Sequence, residues 1–320
     1  MGGGGRHHPK PVRVMPATTV TLTGTGVPHP SPGRAGAGVL VRCGGVALQF
    51  DAGRATMLRL AEAGCAAHQL SAVFITHVHS DHVVDLADVA LTRWVQSTLH
   101  RASPLVVVAA HGEASRFAER MLEPFDDDIA VRMAHVQPRP PGVEVRSFLP
   151  STEAQVVWRA EIPDGQPGDE VVVEAIAVHH EPVVDAVAYR VTTPTAVVVI
   201  SGDTRVCSEV RDFALDADVL VHEACRVSAM AERIAGTPFE SIFDYHADTV
   251  ALGTLAADAR VGHLVLTHLI PPPTTAEDEE SFRDDVRQGG YDGELTVGFD
   301  LFSVVLPAAD DQADASALTH

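Results

Sequence analysis

Three histidines and an aspartate fall within six positions in Thr76-His77-Val78-His79-Ser80-Asp81-His82, directly after the apolar run Ala72 to Ile75. Imidazole and carboxylate are metal donors, and four of them at the end of one expected strand have little structural purpose. On an extended segment, residues two apart point to the same side, so His77 and His79 face one way. Asp81 and His82 come at the turn into the helix that Leu86 to Leu99 suggests, so the two pairs can face two different ions. Without a nearby thiolate such donors favour zinc, and the same ligand preferences admit manganese or iron.

A two-ion site needs further donors, and three short apolar runs end in them. Val171 to Val178 leads to His179-His180, Ala196 to Ile200 to Ser201-Gly202-Asp203-Thr204, and His263 to Leu266 to Thr267-His268. In layered α/β folds, sites gather where loops leave the carboxyl ends of strands, which lets these residues converge. An aspartate so placed can bridge two cations, and Asp203 is the candidate.

The elements that must position these donors follow from the pattern of apolar runs and turns. Strands are expected at Thr19 to Thr23, Val39 to Arg42 and Val46 to Asp51, with Gly44-Gly45 as a turn, before a helix around Ala55 to Ala63. A second β-rich half is expected from near Val143, with strands at Val171 to Val178, Ala186 to Val191 and Ala196 to Ile200. Two such halves with helices outside make an αββα sandwich. Residues 18–306 would form this domain, between disordered tails at 1–17 and 307–320.

The chain has 320 residues and 46% apolar content, enough for a large core. No apolar run approaches the roughly 18 residues of a membrane span. Cys43, Cys65, Cys207 and Cys225 are scattered without CxxC spacing, which fits reduced thiols and a cytoplasmic location. Cys207 reads as a buried thiol without a partner base.

With these residues in view, the chain resembles the metallo-β-lactamase superfamily, in the branch of ribonuclease Z and its arylsulfatase-like relatives. The matching residues are Thr23-Gly24-Thr25-Gly26, Phe50-Asp51-Ala52-Gly53, Thr76 to His82, His180 with Ala188-Tyr189-Arg190, Ser201 to Thr204, His222-Glu223-Ala224, His246 and Thr267-His268. The resemblance implies one divalent ion held by His77, His79 and His180, a second by Asp81, His82 and His268, and Asp203 between them. Choosing His180 over His179 rests on its distance to Tyr189-Arg190; His179 would turn away and pack. Asp51 would orient a ligand or hold its turn, as carboxylates behind metal ligands do.

The chemistry implied is hydrolysis, with Asp81, His246 and Glu223 as the catalytic candidates. Two zinc ions roughly 3.5–4 Å apart can hold a shared hydroxide and polarise a phosphoryl, sulfuryl or acyl oxygen. The family places a catalytic histidine where His246 stands, to protonate the leaving group, with Glu223 to orient it; His246-Ala247-Asp248-Thr249 also reads as an ordinary helix start. Arg54 and Arg205 are candidates to bind an anionic substrate group, or else to pair with loop carboxylates.

Charge bears on the substrate. Nucleic-acid binding draws on Lys and Arg, yet the net charge is −20 and Lys10 is the only lysine. His111 to Val178, where a tRNA-holding arm could insert, has 6 Arg against 13 Asp and Glu, and its Pro138 to Gly142 and Pro163 to Gly168 read as turns between strands. The expectation is a small anionic phosphodiester, sulfate ester or lactone. Precursor tRNA is the alternative, disfavoured by the acidity, and a non-catalytic metal-binding scaffold is a further one. Leu86 to Leu99 and Ala229 to Asp244 could wall the cleft or form the face of a homodimer, while core packing is the default reading for their aromatics Trp94, Phe239, Phe243 and Tyr245.

Overall fold

A computed structural model describes residues 15–306 apart from Gln137 and Asp164; the expected tails, with Lys10, lie almost wholly outside the described residues. The first sheet contains β1 (Thr18–Gly24), β2 (Gly38–Cys43), β3 (Val46–Phe50), β4 (Ala72–Ile75), β5 (Leu105–Ala110) and β6 (Val143–Phe148). The second contains β7 (Gln155–Glu161), β8 (Glu170–Ala177), β9 (Val187–Thr192), β10 (Val197–Ile200), β11 (Val219–Cys225), β12 (His263–Ile270) and β13 (Glu294–Val297). The last strand, β14 (Ser303–Leu306), returns to pair with β1. The sheet orders are β14-β1-β2-β3-β4-β5-β6 and β13-β12-β11-β10-β9-β8-β7.

Each sheet is antiparallel on one side and parallel on the other, with β3 to β6 and β10 to β13 parallel. Parallel strands are covered on both faces, which is why β4 and β11 are buried at every position. Between the sheets lies a core that includes Leu48, Phe50, Phe74, Val173, Tyr189, Val198 and Val221. Phe50 and Phe74 stack at 4.8 Å, and the Tyr189 hydroxyl donates to the Ile75 carbonyl at 2.8 Å, joining the two sheets directly behind the histidine motif. Two outer cores bury the helices. One packs helices Thr56–Glu62, Leu86–Gln96 and Glu113–Arg120 on the first sheet; the other packs Ser208–Phe213, Thr249–Asp258 and Ala276–Gln288 on the second. This is the αββα sandwich.

Three expectations need correction. The second half does not begin near Val143: β6 pairs in parallel with β5 as the edge of the first sheet, and the division follows Phe148. Edge strands have one open side, so β6 and β7 carry alternating charged residues and lack the apolar signal of the central strands. The strand from His263 does not end at Leu266 but runs to Ile270, with His268 at a register shift and a left-handed φ of 43°. Pro138 to Gly142 connects helix Asp126–His135 to β6 rather than two strands; Pro163 to Gly168 does lie between β7 and β8. The four cysteines are free, and among the described residues no helix is long and apolar enough to cross a membrane.

Candidate metal centre

The donors meet where the carboxyl ends of β4, β8 and β10 face the bulge in β12. His77 and His79 leave β4 in extended backbone, and the single helical turn Ser80–Val83 then swings Asp81 and His82 inward, both buried. Two glycines permit the close approach. Gly202 has a φ of +60°, and a Cβ there would meet the Thr76 Cβ at 2.7 Å; one on Gly53 would meet the Asp81 carbonyl oxygen at 2.1 Å.

The donor atoms of His77, His79, His180 and Asp203 all lie within 4.8 Å of one another, as do those of Asp81, His82 and His268. Asp203 stands between the two groups. Its Oδ2 is 3.8 Å from His77 Nε2 and His180 Nε2, 3.4 Å from His82 Nε2 and 3.3 Å from His268 Nε2. Asp81 Oδ2 is 3.3 Å from His268 Nε2 and 3.7 Å from His82 Nε2. Donors about 2.0–2.1 Å from a shared tetrahedral ion stand roughly 3.3 Å apart, which the shortest separations match and the 3.7–3.8 Å ones exceed by up to about half an ångström.

Hydrogen bonds behind the donors set their orientation. Asp51 Oδ2 accepts from His82 Nδ1 at 2.7 Å and from the Thr76 hydroxyl at 2.8 Å, and its Oδ1 accepts from the Thr76 amide. Thr76 Oγ1 is also 3.1 Å from His77 Nδ1, so Asp51 and Thr76 together fix two rings. His180 Nδ1 donates to the Tyr245 carbonyl at 3.1 Å. Each of these bonds leaves the opposite ring nitrogen facing the centre. Thr76 and the Tyr245 carbonyl were not singled out from sequence, although Thr76 opens the motif.

Electrostatics suit cations. Burial, reinforced by nearby His82, holds His77 well below the ordinary imidazole value, and burial also lowers His79 and His180. Burial would raise Asp203 and Asp81, but His268 and His82 pull both below the usual carboxylate range, Asp203 far below. Neutral imidazole and ionised carboxylate are the states that bind metal. Burial opposes a charge on His82, yet Asp203 and Asp51 hold it well above its ordinary value, so a proton and a metal compete for its Nε2. His82 Nε2 and Asp203 Oδ1 are buried without a hydrogen-bond partner, and such atoms at the middle of a donor set fit a pair of divalent ions.

Beside the donors, His246 Nδ1 donates to Glu223 Oε1 at 2.8 Å, and the same oxygen accepts the Thr204 amide at 2.9 Å. Burial would lower His246, but the fully buried Glu223 carboxylate raises it to about 9. Asp248 caps helix Thr249–Asp258 through the Val250 and Ala251 amides. His246 thus precedes the helix and turns its ring to the site, stacked at 5.5 Å on His268.

Other sequence candidates lie further out. The Arg205 guanidinium is 3.7 Å from Glu181, the salt-bridge alternative, and the Arg54 side chain is exposed. Trp94 is buried, as the core-packing default has it; its indole donates to the Arg139 carbonyl beside a hollow of about 920 Å³ that contains none of the donors. The Tyr245 ring is 5.3 Å from that of His180, while Phe239 is 64% exposed. His179 turns away from the donors as expected, but it does not pack: its side chain is 32% exposed and faces Glu209.

Two seven-stranded sheets with this donor edge define a metallo-β-lactamase-type sandwich. Ribonuclease Z of Mycolicibacterium gilvum (strain PYR-GCK) is 36% identical over 273 residues, covering 85% of this chain and 90% of that protein. The metallo-β-lactamase fold protein YhfI from Bacillus subtilis superposes with a TM-score of 0.66 at 20% identity, over 90% of this chain and 99% of that one. Human tRNase Z, short form, superposes with a TM-score of 0.65 at 23% identity, over 90% and 99%. A family model described as Anti-Pycsar protein Apyc1 matches residues 18–113. The chain belongs to the ribonuclease Z family of the metallo-β-lactamase superfamily, and is a metal-dependent hydrolase of that fold.

Proposed function

We propose that this chain, through a catalytic domain spanning residues 18–306, cleaves a phosphodiester of 3′-extended precursor tRNA. The supporting observation is the 36% identity that extends over 90% of the length of a protein named ribonuclease Z. In this reading His77, His79 and His180 would hold one divalent ion and Asp81, His82 and His268 the other, with Asp203 in reach of both sets and Asp51 orienting His82. Zinc suits the imidazole-rich set best. When bound, the two ions supply Lewis acidity at the phosphoryl oxygen and make water a nucleophile at neutral pH.

The chain's own residues do the rest. The raised value of His246 keeps it protonated at neutral pH, ready to deliver a proton from Nε2 to the departing ribose oxygen. Glu223 positions that ring through Nδ1 and supplies the opposing charge. The buried Asp51–Thr76–His77 chain keeps the donor rings from rotating. Arg54 is free to meet a phosphate next to the scissile one, whereas Arg205 must first leave Glu181.

The identity to a protein named ribonuclease Z supports placing precursor tRNA ahead of the small anionic substrate favoured from sequence. A small phosphodiester, such as a cyclic nucleotide, stays as the second reading because of the net charge of −20. Both readings share the bond broken, so one assay separates them. Zinc- or manganese-loaded protein is incubated with 3′-extended precursor tRNA and, separately, with cyclic nucleotides, beside Asp203→Ala. Cleavage at the discriminator base, lost in the variant, supports the tRNA reading. Turnover of cyclic nucleotides without tRNA cleavage would replace it with the second.

A further inference from the structure

Adjacent to the buried donors, and turned away from them, is a second gathering of metal-binding atoms. His179 and His180 are consecutive at the end of β8, so their imidazoles project to opposite sides. A ring nitrogen of His179, the Cys207 sulfur and a Glu209 carboxylate oxygen lie within 4.8 Å of one another, all half-buried. His179 Nε2 is 3.4 Å from Glu209 Oε1.

The backbone holds these residues in register. The His179 amide donates to Thr204 Oγ1 at 3.1 Å, and the Arg205 amide donates to the His179 carbonyl at 3.1 Å. Cys207 immediately precedes helix Ser208–Phe213, and Glu209 lies in its first turn. The other ring nitrogen of His179, Nδ1, is 3.5 Å from Glu181 Oε1, and Glu181 is in turn 3.7 Å from Arg205. A carboxylate behind the distal ring nitrogen is the arrangement that fixes the tautomer of a metal-bound histidine. Here the Nε2 side of the ring faces Glu209, with which it shares a hydrogen bond at 3.4 Å whose proton a divalent ion would displace.

We propose that His179, Cys207 and Glu209 form a third metal site, for one thiophilic divalent ion of the zinc class, with water as a fourth ligand. The donor set differs in kind from the main centre, which has only imidazole and carboxylate. A thiolate selects zinc or cobalt over manganese. Burial holds the Cys207 thiol above its ordinary value, so an ion would bind with release of the thiol proton; thiolate and carboxylate would then neutralise the dication while Arg205 neutralises Glu181. Cys207 is alone among the cysteines in meeting other donors this way among the described residues. An ion here would clamp the loop that follows Asp203 to the strand end that carries His180.

The test is cobalt(II) titration of the metal-free full chain. Cobalt–thiolate coordination gives a near-ultraviolet charge-transfer band, which imidazole and carboxylate donors do not. Three equivalents should bind, one of them with the band. Cys207→Ser should remove the band and one equivalent while two remain, and Glu209→Gln, which keeps the thiol and is exposed enough to fold, should weaken that equivalent by about tenfold or more. Manganese(II) should reach only two equivalents. Binding of two cobalt equivalents by the unaltered chain, or a band that survives Cys207→Ser, would overturn the proposal.

Discussion

Glu223→Gln isolates the work of one buried charge. Gln is nearly isosteric, and its side-chain oxygen can still accept the Thr204 amide that Glu223 Oε1 accepts at 2.9 Å. What disappears is the negative charge 2.8 Å from His246 Nδ1. Burial lowers the value of His246 and Glu223 is the leading influence raising it to about 9, so in the variant it should fall to its ordinary 6.5 or below. Taking 6.5, the protonated fraction at pH 8 drops from about 0.9 to about 0.03, a roughly 30-fold loss of kcat worth about 2 kcal/mol. At pH 6 the loss is only about 1.3-fold, because both forms are then protonated. The sign follows from the acid role: a raised value extends activity upward in pH, and the variant's alkaline limb moves down.

The assay is kcat against pH, from about 6 to 9.5, on two phosphodiesters that differ in leaving group, with bound metal counted at each point. With an alkoxide leaving group the alkaline limb should move as described. With p-nitrophenolate, which departs without a proton, the loss should nearly vanish. A uniform loss at every pH and with both leaving groups, metal content unchanged, would mean that Glu223 holds the Thr204 loop and does not tune His246.

The other expectations concern neighbouring atoms. His246→Ala should leave bound metal intact and slow alkoxide-leaving substrates by about 10²-fold or more, and loss of metal instead would make His246 a ligand. Asp203→Ala removes the oxygen that both donor groups reach, so metal analysis should show depletion together with loss of hydrolysis; full activity with two ions retained would refute its shared role. Asp51→Ala frees the His82 and Thr76 bonds and should weaken metal affinity by about 10- to 100-fold by competition with a chelator, without touching a donor. Tyr189→Phe removes the buried hydrogen bond to the Ile75 carbonyl and should cost about 0.5–1.5 kcal/mol in denaturant unfolding.

The histidine motif was legible because its period is local: a strand's alternation and one helical turn place four donors from seven residues. His180, Asp203 and His268 were legible as ends of apolar runs, yet the actual geometry of His268 was not. Its run of strand residues continues through it, and only the cross-strand register shift against Glu223 and Ala224 turns its side chain to the site. The same limit hid β6 and β7, whose edge positions remove the apolar signal. It hid Cys207 as well. In sequence the thiol has no partner, because His179 is brought to it by hydrogen bonds that cross from β8 to the loop after β10.

Net charge argued against a tRNA substrate in the sequence, but its physical reach is short. A total of −20 describes the whole surface, whereas exposed charges are screened beyond about 8 Å at physiological ionic strength. Asp126, Asp127 and Asp128 begin a helix with no buried residue, so solvent and salt reach them fully. The carboxylates that matter for a bound phosphodiester are those of the site, and Asp51, Asp81, Asp203 and Glu223 are all buried and matched to imidazoles. Only two of the seven donors, Asp81 and Asp203, carry negative charge. Such a set would leave two divalent ions under-neutralised, and an anionic substrate would be drawn to that local excess. If the substrate is precursor tRNA as proposed, acidity at the periphery would govern how fast it arrives and how strongly salt affects it, while the buried set would govern whether it reacts.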